Sequence, residues 1–344
     1  MIGPNAVVGL AVLAVACAGT GMLRRYALAH DVLDIPNERS SHVHATPRGG
    51  GVAIVTAFLL GVLGFGVTGL IDASTVTSLV GAGIIVAVIG FIDDHSSLPA
   101  RWRLLAHFAA AVWALAWIGG LAPVDFMVHV VDLGIVGNAL AAIGLVWLLN
   151  LYNFMDGIDG IAAVEAVTAG LGAAALCWLV PAARPEGALA LLLAAASAGF
   201  LLWNFPPPAR IFLGDAGSGF LGLMVGTLTL HAAGVSTQLL WSWLILLGVF
   251  IVDATMTLFR RLARRERIYE AHRSHAYQHA TQRIGRHGPV TLVTGAINVL
   301  FLFPVALLVA RAQLDGLVGL LITYVPLAAL ATWLGAGSRD GRAR

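Results

Sequence analysis

The chain has 344 residues, 59% of them hydrophobic and only 11% charged, where an ordinary soluble domain carries about 25% charged residues. A mean hydropathy of +0.87 and a net charge of only +2 exclude such a domain and leave a polytopic membrane protein, surrounded by membrane lipids and with no nucleic acid as partner. The two cysteines, Cys17 and Cys177, lie inside apolar runs and support neither a disulfide framework nor a thiolate metal site.

In chain order, about eleven apolar stretches of the length a bilayer requires predict transmembrane helices. The first, 4–23, contains "LAVAC" at 13–17, which weakly resembles a lipoprotein cleavage site. No basic stretch precedes it, so a retained helix is the expectation. The loop 24–50 carries most of "DIPNERSSHVHATPRGGG" (34–51), and helices at 51–70 and 74–92 lead to "FIDDHSSLPARWR" (91–103). Helices at 102–119 and 137–151 flank the segment 120–136, whose alternating apolar and polar residues fit a short hairpin. "NLYNFMDGIDG" (150–160) precedes helices at 161–180 and 187–204, and "RIFLGDAGSGFLG" (210–222) opens the helix at 217–234. A continuous span at 236–258 follows, then the loop 259–289 with "EAHRSHAYQH" (270–279), then helices at 290–311 and 316–335.

With no internal repeat, low-complexity segment or soluble domain, residues 1–344 read as one all-α membrane-embedded domain. All twenty basic side chains are arginine. Eighteen lie in or beside the loops 24–50, 93–101, 152–160, 205–216 and 259–289 and the tail 336–344, leaving Arg184 and Arg311 opposite. The positive-inside rule makes those loops and the C-terminus cytoplasmic and the N-terminus periplasmic. Trp102, Trp117, Trp178, Trp203, Trp241 and Trp243 fall near span ends and read as headgroup anchors.

All five polar clusters then emerge on the cytoplasmic face. Asp93 and Asp94 follow directly on "IIVAVIGFI". A neighbouring pair of acids needs a cation or an arginine, and Arg101 and Arg103 are close in sequence; a simple helix-end cap is the alternative. Asn150, Asn153, Asp156 and Asp159 recur every three residues and would line one side of a near-helical turn, unless they form a polar turn satisfied by its own hydrogen bonds. Gly214, Gly217 and Gly219 around Asp215 either allow close helix packing or let backbone amides approach a phosphate at a helix N-terminus.

Five carboxylates at one membrane surface require positive charge. Oxygen ligands suit Mg²⁺, with Mn²⁺ as an alternative, and Asn153 and Asp215 would be adequate protein ligands. Arg39, His42 and Arg48 in the first loop, and His272, Arg273 and His275 in the last, read either as a lipid-facing cationic surface or as the partners of a diphosphate. An ion-coupled transporter is the rival from another class, and it would place acids near span middles.

These five clusters, in this order over roughly residues 34–288, resemble the polyprenyl-phosphate N-acetylhexosamine-1-phosphate transferases, integral membrane enzymes that start bacterial surface-polysaccharide and peptidoglycan lipid carriers. The resemblance implies a multi-pass protein of the bacterial inner membrane with its active site on the cytoplasmic face. It would act on a UDP-N-acetylated sugar and undecaprenyl phosphate to give undecaprenyl-diphospho-sugar and UMP, with a homodimer left open. It implies Asp215 and Asn153 as Mg²⁺ ligands, Asp93 and Asp94 serving the acceptor phosphate, Asp156 and Asp159 lining the donor site, and His272 and His275 on the donor diphosphate. The spelling "HRSH" looks more like the O-antigen-initiating branch than the peptidoglycan branch, the phospho-N-acetylmuramoyl-pentapeptide transferases.

Overall fold

A computed structural model describes residues 4–36, 45–96, 98–127, 129–266 and 272–338. Arg39 and His42 lie outside the described residues. The helices are α1 (Pro4–Ala29), α2 (Gly51–Val67), α3 (Ala73–His95), α4 (Ala100–Ile118), α5 (Gly134–Met155), α6 (Ile161–Trp178), α7 (Arg184–Asn204), α8 (Asp215–Val235), α9 (Thr237–Leu246), α10 (Gly248–Ala263), α11 (Ala276–Ile284), α12 (His287–Ile297), α13 (Phe303–Ala310) and α14 (Gly316–Leu334). Among the described residues the protein is all-α apart from two small antiparallel pairs, β1 (Leu33–Asp34) with β2 (Thr46–Pro47) and β3 (Val124–Phe126) with β4 (His129–Val131). The second pair is the hairpin expected in 120–136.

Among the described residues, eight helices are long and apolar enough to cross a bilayer, or nine if α9 and α10 form one broken span. The expected number of about eleven also takes in α2, with 17 residues, and α4, which begins on Arg101 and Arg103.

The span expected to run straight through 236–258 is instead bent by 68° between α9 and α10. Tyr324 of α14 donates its hydroxyl to the Leu244 carbonyl at 2.8 Å, supplying a side-chain partner next to the break. Two of the tryptophans expected as anchors are not anchors. Trp243 is 2% exposed, and Trp241 is buried with its indole N–H on the Asp125 carbonyl of β3 at 3.1 Å. Trp102, Trp117 and Trp178 are exposed, as headgroup anchors should be.

α8 is the axis of the bundle: 83% of its most apolar stretch is buried inside the protein, against 22% for α1 and α14. Without an oil-and-water difference between helix and lipid, such packing rests on close approach through small residues. At Gly222 a Cβ would lie 2.4 Å from the Leu148 carbonyl of α5. Farther along, α6 and the π-helical turn after α12 are joined by the Asn298 amide, which donates to Glu165 Oε2 at 2.6 Å and Thr168 Oγ1 at 2.8 Å.

Gly222→Leu therefore lowers the thermal midpoint of the detergent-solubilised protein, at a cost of about 1–3 kcal/mol. Gly144→Leu on α5, where a Cβ meets nothing within 4 Å, leaves the midpoint unchanged.

Candidate active site

The chain ends one helix and begins the next around a single polar cavity of about 480 Å³. α3 delivers Asp93 and Asp94 in its last turn, and α8 begins at Asp215. Asp94 Oδ1 accepts from the Asp215 N–H at 3.0 Å and Oδ2 from the Ala216 N–H at 3.2 Å, so one carboxylate caps α8 from 121 residues away. Glycine makes this approach feasible. Gly214 has φ +78°, and a Cβ there would sit 2.8 Å from Asp94 Oδ2, while a Cβ at Gly90 would lie 2.6 Å from the Ala216 backbone. Arg48 donates to the Asp94 carbonyl. β2 and the start of α2 also hold the approach to α8, through Phe212 N–H to Pro47 O at 2.7 Å and Gly51 N–H to Leu213 O at 2.8 Å.

Asp93 points elsewhere. Its Oδ2 forms an ion pair with Arg103 at 2.6 Å and its Oδ1 accepts from the Leu98 N–H at 2.7 Å. It lines a second, smaller cavity of about 200 Å³, together with Arg103, Asn150 and apolar residues that include Val86, Ile89, Leu104, Leu149 and Phe154. The resemblance gave Asp93 and Asp94 one shared task, yet they face different cavities. Two residues line both cavities, Asn153 and Asp215. The Asn153 amide donates to Asp215 Oδ1 at 2.6 Å and to Ser218 Oγ at 3.1 Å, which fixes the Asp215 carboxylate at the junction.

The three-residue series 150–159 does not stay on one helix face. α5 ends at Met155, Asn150 turns back to the Val146 carbonyl at 2.7 Å, and Asp156 and Asp159 reach the larger cavity from the loop that follows. Burial first, then the neighbouring Asp215, Asp94 and Asp159, push the Asp156 pKa well above the ordinary carboxylate range. Asp159 accepts from the Ala209 N–H at 3.1 Å and lies 3.3 Å from His287 Nδ1, while Thr291 donates to its carbonyl at 2.7 Å. Asn204 locks two motifs together, accepting from Gly160 N–H at 2.7 Å and donating to Ile211 O at 2.9 Å.

Arg48, Gly214 and Arg273 line the larger cavity, as do Asp34, Gln278, Gln282 and His287. Of the histidines singled out with them, His272 and His275 line neither cavity. His275 is 1% exposed with Nδ1 3.3 Å from Asp253 Oδ1, and Asp253 also accepts from the Ala276 and Tyr277 amides at 2.9 and 3.0 Å. His275 belongs to the joint between α10 and α11. His272 stacks on it at 5.0 Å and bonds Ser274 at 2.9 Å. Burial, then the neighbouring His275 and Arg261, push its pKa down to about 3. Asn204, Asp253 and His287 went unnoticed in sequence. Only Asn204 carried a signal, standing just before "FPPP" (205–208) at the end of a helix.

The acid set fits a hard divalent cation. Among the described residues no three His, Cys, Asp or Glu side chains close on one point as a full cage. Asp94, Asp156, Asp159 and Asp215 nonetheless share one cavity with two arginines, an arrangement suited to an ion that takes one or two protein oxygens and completes its shell with phosphate and water.

Comparison with known proteins adds three relatives and a family. The model of the family described as glycosyl transferase family 4 matches residues 76–233. A probable undecaprenyl-phosphate N-acetylglucosaminyl 1-phosphate transferase of Bacillus subtilis is 30% identical over 305 residues, covering 85% of this chain and 81% of that protein. A decaprenyl-phosphate N-acetylglucosaminephosphotransferase of Mycolicibacterium smegmatis is 30% identical over 284 residues, covering 74% and 68%. A phospho-N-acetylmuramoyl-pentapeptide-transferase of Picosynechococcus is 30% identical over 180 residues, covering 48% and 47%.

Asp94→Asn puts an amide donor against one of the two α8 N–H groups and costs about 1–3 kcal/mol of stability, read as a lowered thermal midpoint. Asp93→Asn meets the same conflict, because the Asp93 side chain is 8% exposed and its two oxygens accept from Arg103 and the Leu98 N–H, and it lowers the midpoint by a similar cost of about 1–3 kcal/mol.

Proposed function

The chain belongs to glycosyl transferase family 4, and on that premise we propose that it transfers an N-acetylhexosamine 1-phosphate from a UDP-sugar to undecaprenyl phosphate. The observation that carries this reading is the pair of cavities meeting at Asn153 and Asp215. The larger, lined by acids, amides and arginines, suits a nucleotide diphosphate. The smaller, lined largely by apolar side chains beside the Asp93–Arg103 pair, suits a phosphate on an isoprenoid chain. A transporter reading finds less support, because these acids gather at helix ends.

In the proposed reaction an acceptor phosphate oxygen attacks the β-phosphorus of the donor. The new P–O bond forms as the bond to the UMP oxygen breaks, and UMP leaves. The acceptor phosphate, with a second pKa near 6, is largely dianionic at pH 7 and needs no obligatory base. Asp94 and Asp93 are already engaged, with the α8 amides and with Arg103 and the Leu98 N–H, which favours direct displacement over a covalent aspartyl-phosphate. Arg48 and Arg273 orient the donor's phosphates and stabilise charge that builds on their oxygens. Asp215 and the Asn153 amide oxygen would hold Mg²⁺, with Mn²⁺ able to substitute; the ion supplies positive charge to the diphosphate when bound. Asp156 and Asp159 line the donor side.

The N-acetylglucosamine named in two relatives makes UDP-N-acetylglucosamine the first donor to test, with 6-deoxygenated N-acetylhexosamines next. The lipid-linked product would start a cell-surface polysaccharide, O-antigen on the sequence resemblance. The arginine distribution supports a site on the cytoplasmic face of the bacterial inner membrane.

Purified protein given undecaprenyl phosphate, Mg²⁺ and UDP-N-acetylhexosamines releases UMP. A chelator stops it, and Asp215→Asn lowers turnover by on the order of 10²–10³-fold while the protein still folds; silence across the sugar panel sinks the reading. The two cavities also separate kinetically. Arg103→Gln raises KM for the carrier by about 10-fold or more with donor KM little changed, whereas Arg273→Gln raises donor KM by a similar factor.

A further inference from the structure

α11 separates the catalytic cavity from another of different character. Its Gln278, Thr281 and Gln282 line the catalytic side. Tyr277, Ala280 and Ile284, at three- and four-residue spacing on another face of the same nine-residue helix, line a cavity of about 240 Å³ walled otherwise by α10, α12 and α14. Its lining is almost entirely apolar, with Val252, Val290 and Leu327 among it. The single acid there, Asp253, already accepts from the Ala276 and Tyr277 amides. A cavity of this kind does not hold water well and takes an apolar ligand.

Its rim is exposed. Ile284, Val293, Leu330 and the 71% exposed Trp333 line it and are open on the outer side, and Val293 and Leu330 belong to helices long and apolar enough to cross the bilayer. The opening therefore faces lipid. At the mouth the Arg283 guanidinium lies 5.6 Å from the Trp333 ring centroid and 3.3 Å from the Leu334 carbonyl, to which it donates. A cation and an aromatic ring at one end of an apolar slot match an anionic headgroup joined to an acyl chain. The polyprenyl carrier is a poorer match, because its phosphate has to reach Asn153 and Asp215, which line the two catalytic cavities and not this one.

Tyr277 links this cavity to the site. Its ring is part of the apolar wall, and its hydroxyl donates to the Phe154 carbonyl at 3.0 Å. It also packs so closely on Gly157 that a Cβ there could not fit. We propose that the cavity seats one acyl chain of an anionic membrane phospholipid with its headgroup on Arg283, and that the bound chain holds α11 in the position that shapes the catalytic cavity.

The test uses the whole chain in nanodiscs of phosphatidylcholine, with and without phosphatidylglycerol, read by native mass spectrometry and by hydrogen exchange of the α11 amides. The wild type retains phosphatidylglycerol over phosphatidylcholine by about fivefold, the factor one cation near an anionic surface supplies, and its α11 amides exchange more slowly when that lipid is present. Arg283→Gln removes the preference. Val293→Trp, which fills the mouth from the lipid side, removes both the retained lipid and the slowing, and Leu330→Trp on the facing helix does the same, which guards against a local folding effect of either change. Equal retention and equal exchange in the wild type and both tryptophan variants would overturn the proposal. So would displacement of the retained lipid by undecaprenyl phosphate, which would make the occupant the carrier's own tail. None of these readouts depends on turnover, so a failure here is distinguishable from a failure of the transferase reading.

Discussion

The site depends on one carboxylate accepting two backbone amides across a helix junction. Asp94 ends α3 and caps α8 at Asp215 and Ala216. Unpaired amides at a buried helix N-terminus cost free energy that no water is present to offset, so the two helices register on each other through this contact. The register in turn requires glycine at 90 and 214, where any side chain would collide with the partner. With the head of α8 held, the Asp215 side chain projects to where the polar and apolar cavities meet, and the Asn153 amide keeps it there. A site of this kind is assembled by packing deep in the bundle, even though its chemistry lies at helix ends.

Crowding several acids near that junction stores electrostatic repulsion. Burial first, and then that repulsion, hold the Asp156 pKa above the ordinary carboxylate range. Arg103 neutralises Asp93 directly, but Arg48 engages the backbone carbonyl of Asp94, so its charge is only partly turned toward the carboxylates. On the proposed function, a cation arriving with the donor's phosphates would add positive charge beside these acids. A binding site that is unfavourable when empty gains more on filling than one already satisfied.

Much of this was legible in sequence, because bilayer-length apolar runs and one-sided arginine admit few arrangements. Most of the helices, the hairpin within 120–136 and the gathering of "DD", "NLYNFMDGIDG" and "LGDAGSG" follow from hydropathy, spacing and arginine placement, but the break in 236–258 does not. What escaped depends on contacts between distant segments. Nothing in the local pattern around Asp253 says that an acid within α10 will cap a helix 23 residues later, so the nearby histidines looked like ligands when His275 is part of that joint. The spacing of Asn150, Asn153, Asp156 and Asp159 misled for a different reason: a three-residue period implies a helix face only while the helix lasts, and α5 stops at Met155. Trp243 shows that position near a span end does not decide exposure, since α9 is packed on several sides.

The weakest structural member of the site is α11. At nine residues it is shorter than an isolated helix that holds its form in water, which needs about 12–15, so its position comes from its surroundings. On the N-terminal side those surroundings are strong: Asp253 takes two amides, the Gln278 side chain accepts from His275 N–H at 3.1 Å, and Tyr277 reaches Phe154. Toward its C-terminus Ala280 and Ile284 line the apolar cavity, and Ile284 is exposed. Elements with few apolar contacts open at low free energy, and here that element carries Gln278, Thr281 and Gln282 into the catalytic cavity. Whatever fills the apolar side would add contacts to α11 on the far side of the helix from the polar cavity. On the proposal above, a short helix firmly capped at its N-terminal end is thus the place where the state of the bilayer would reach the proposed donor site without touching a reacting group.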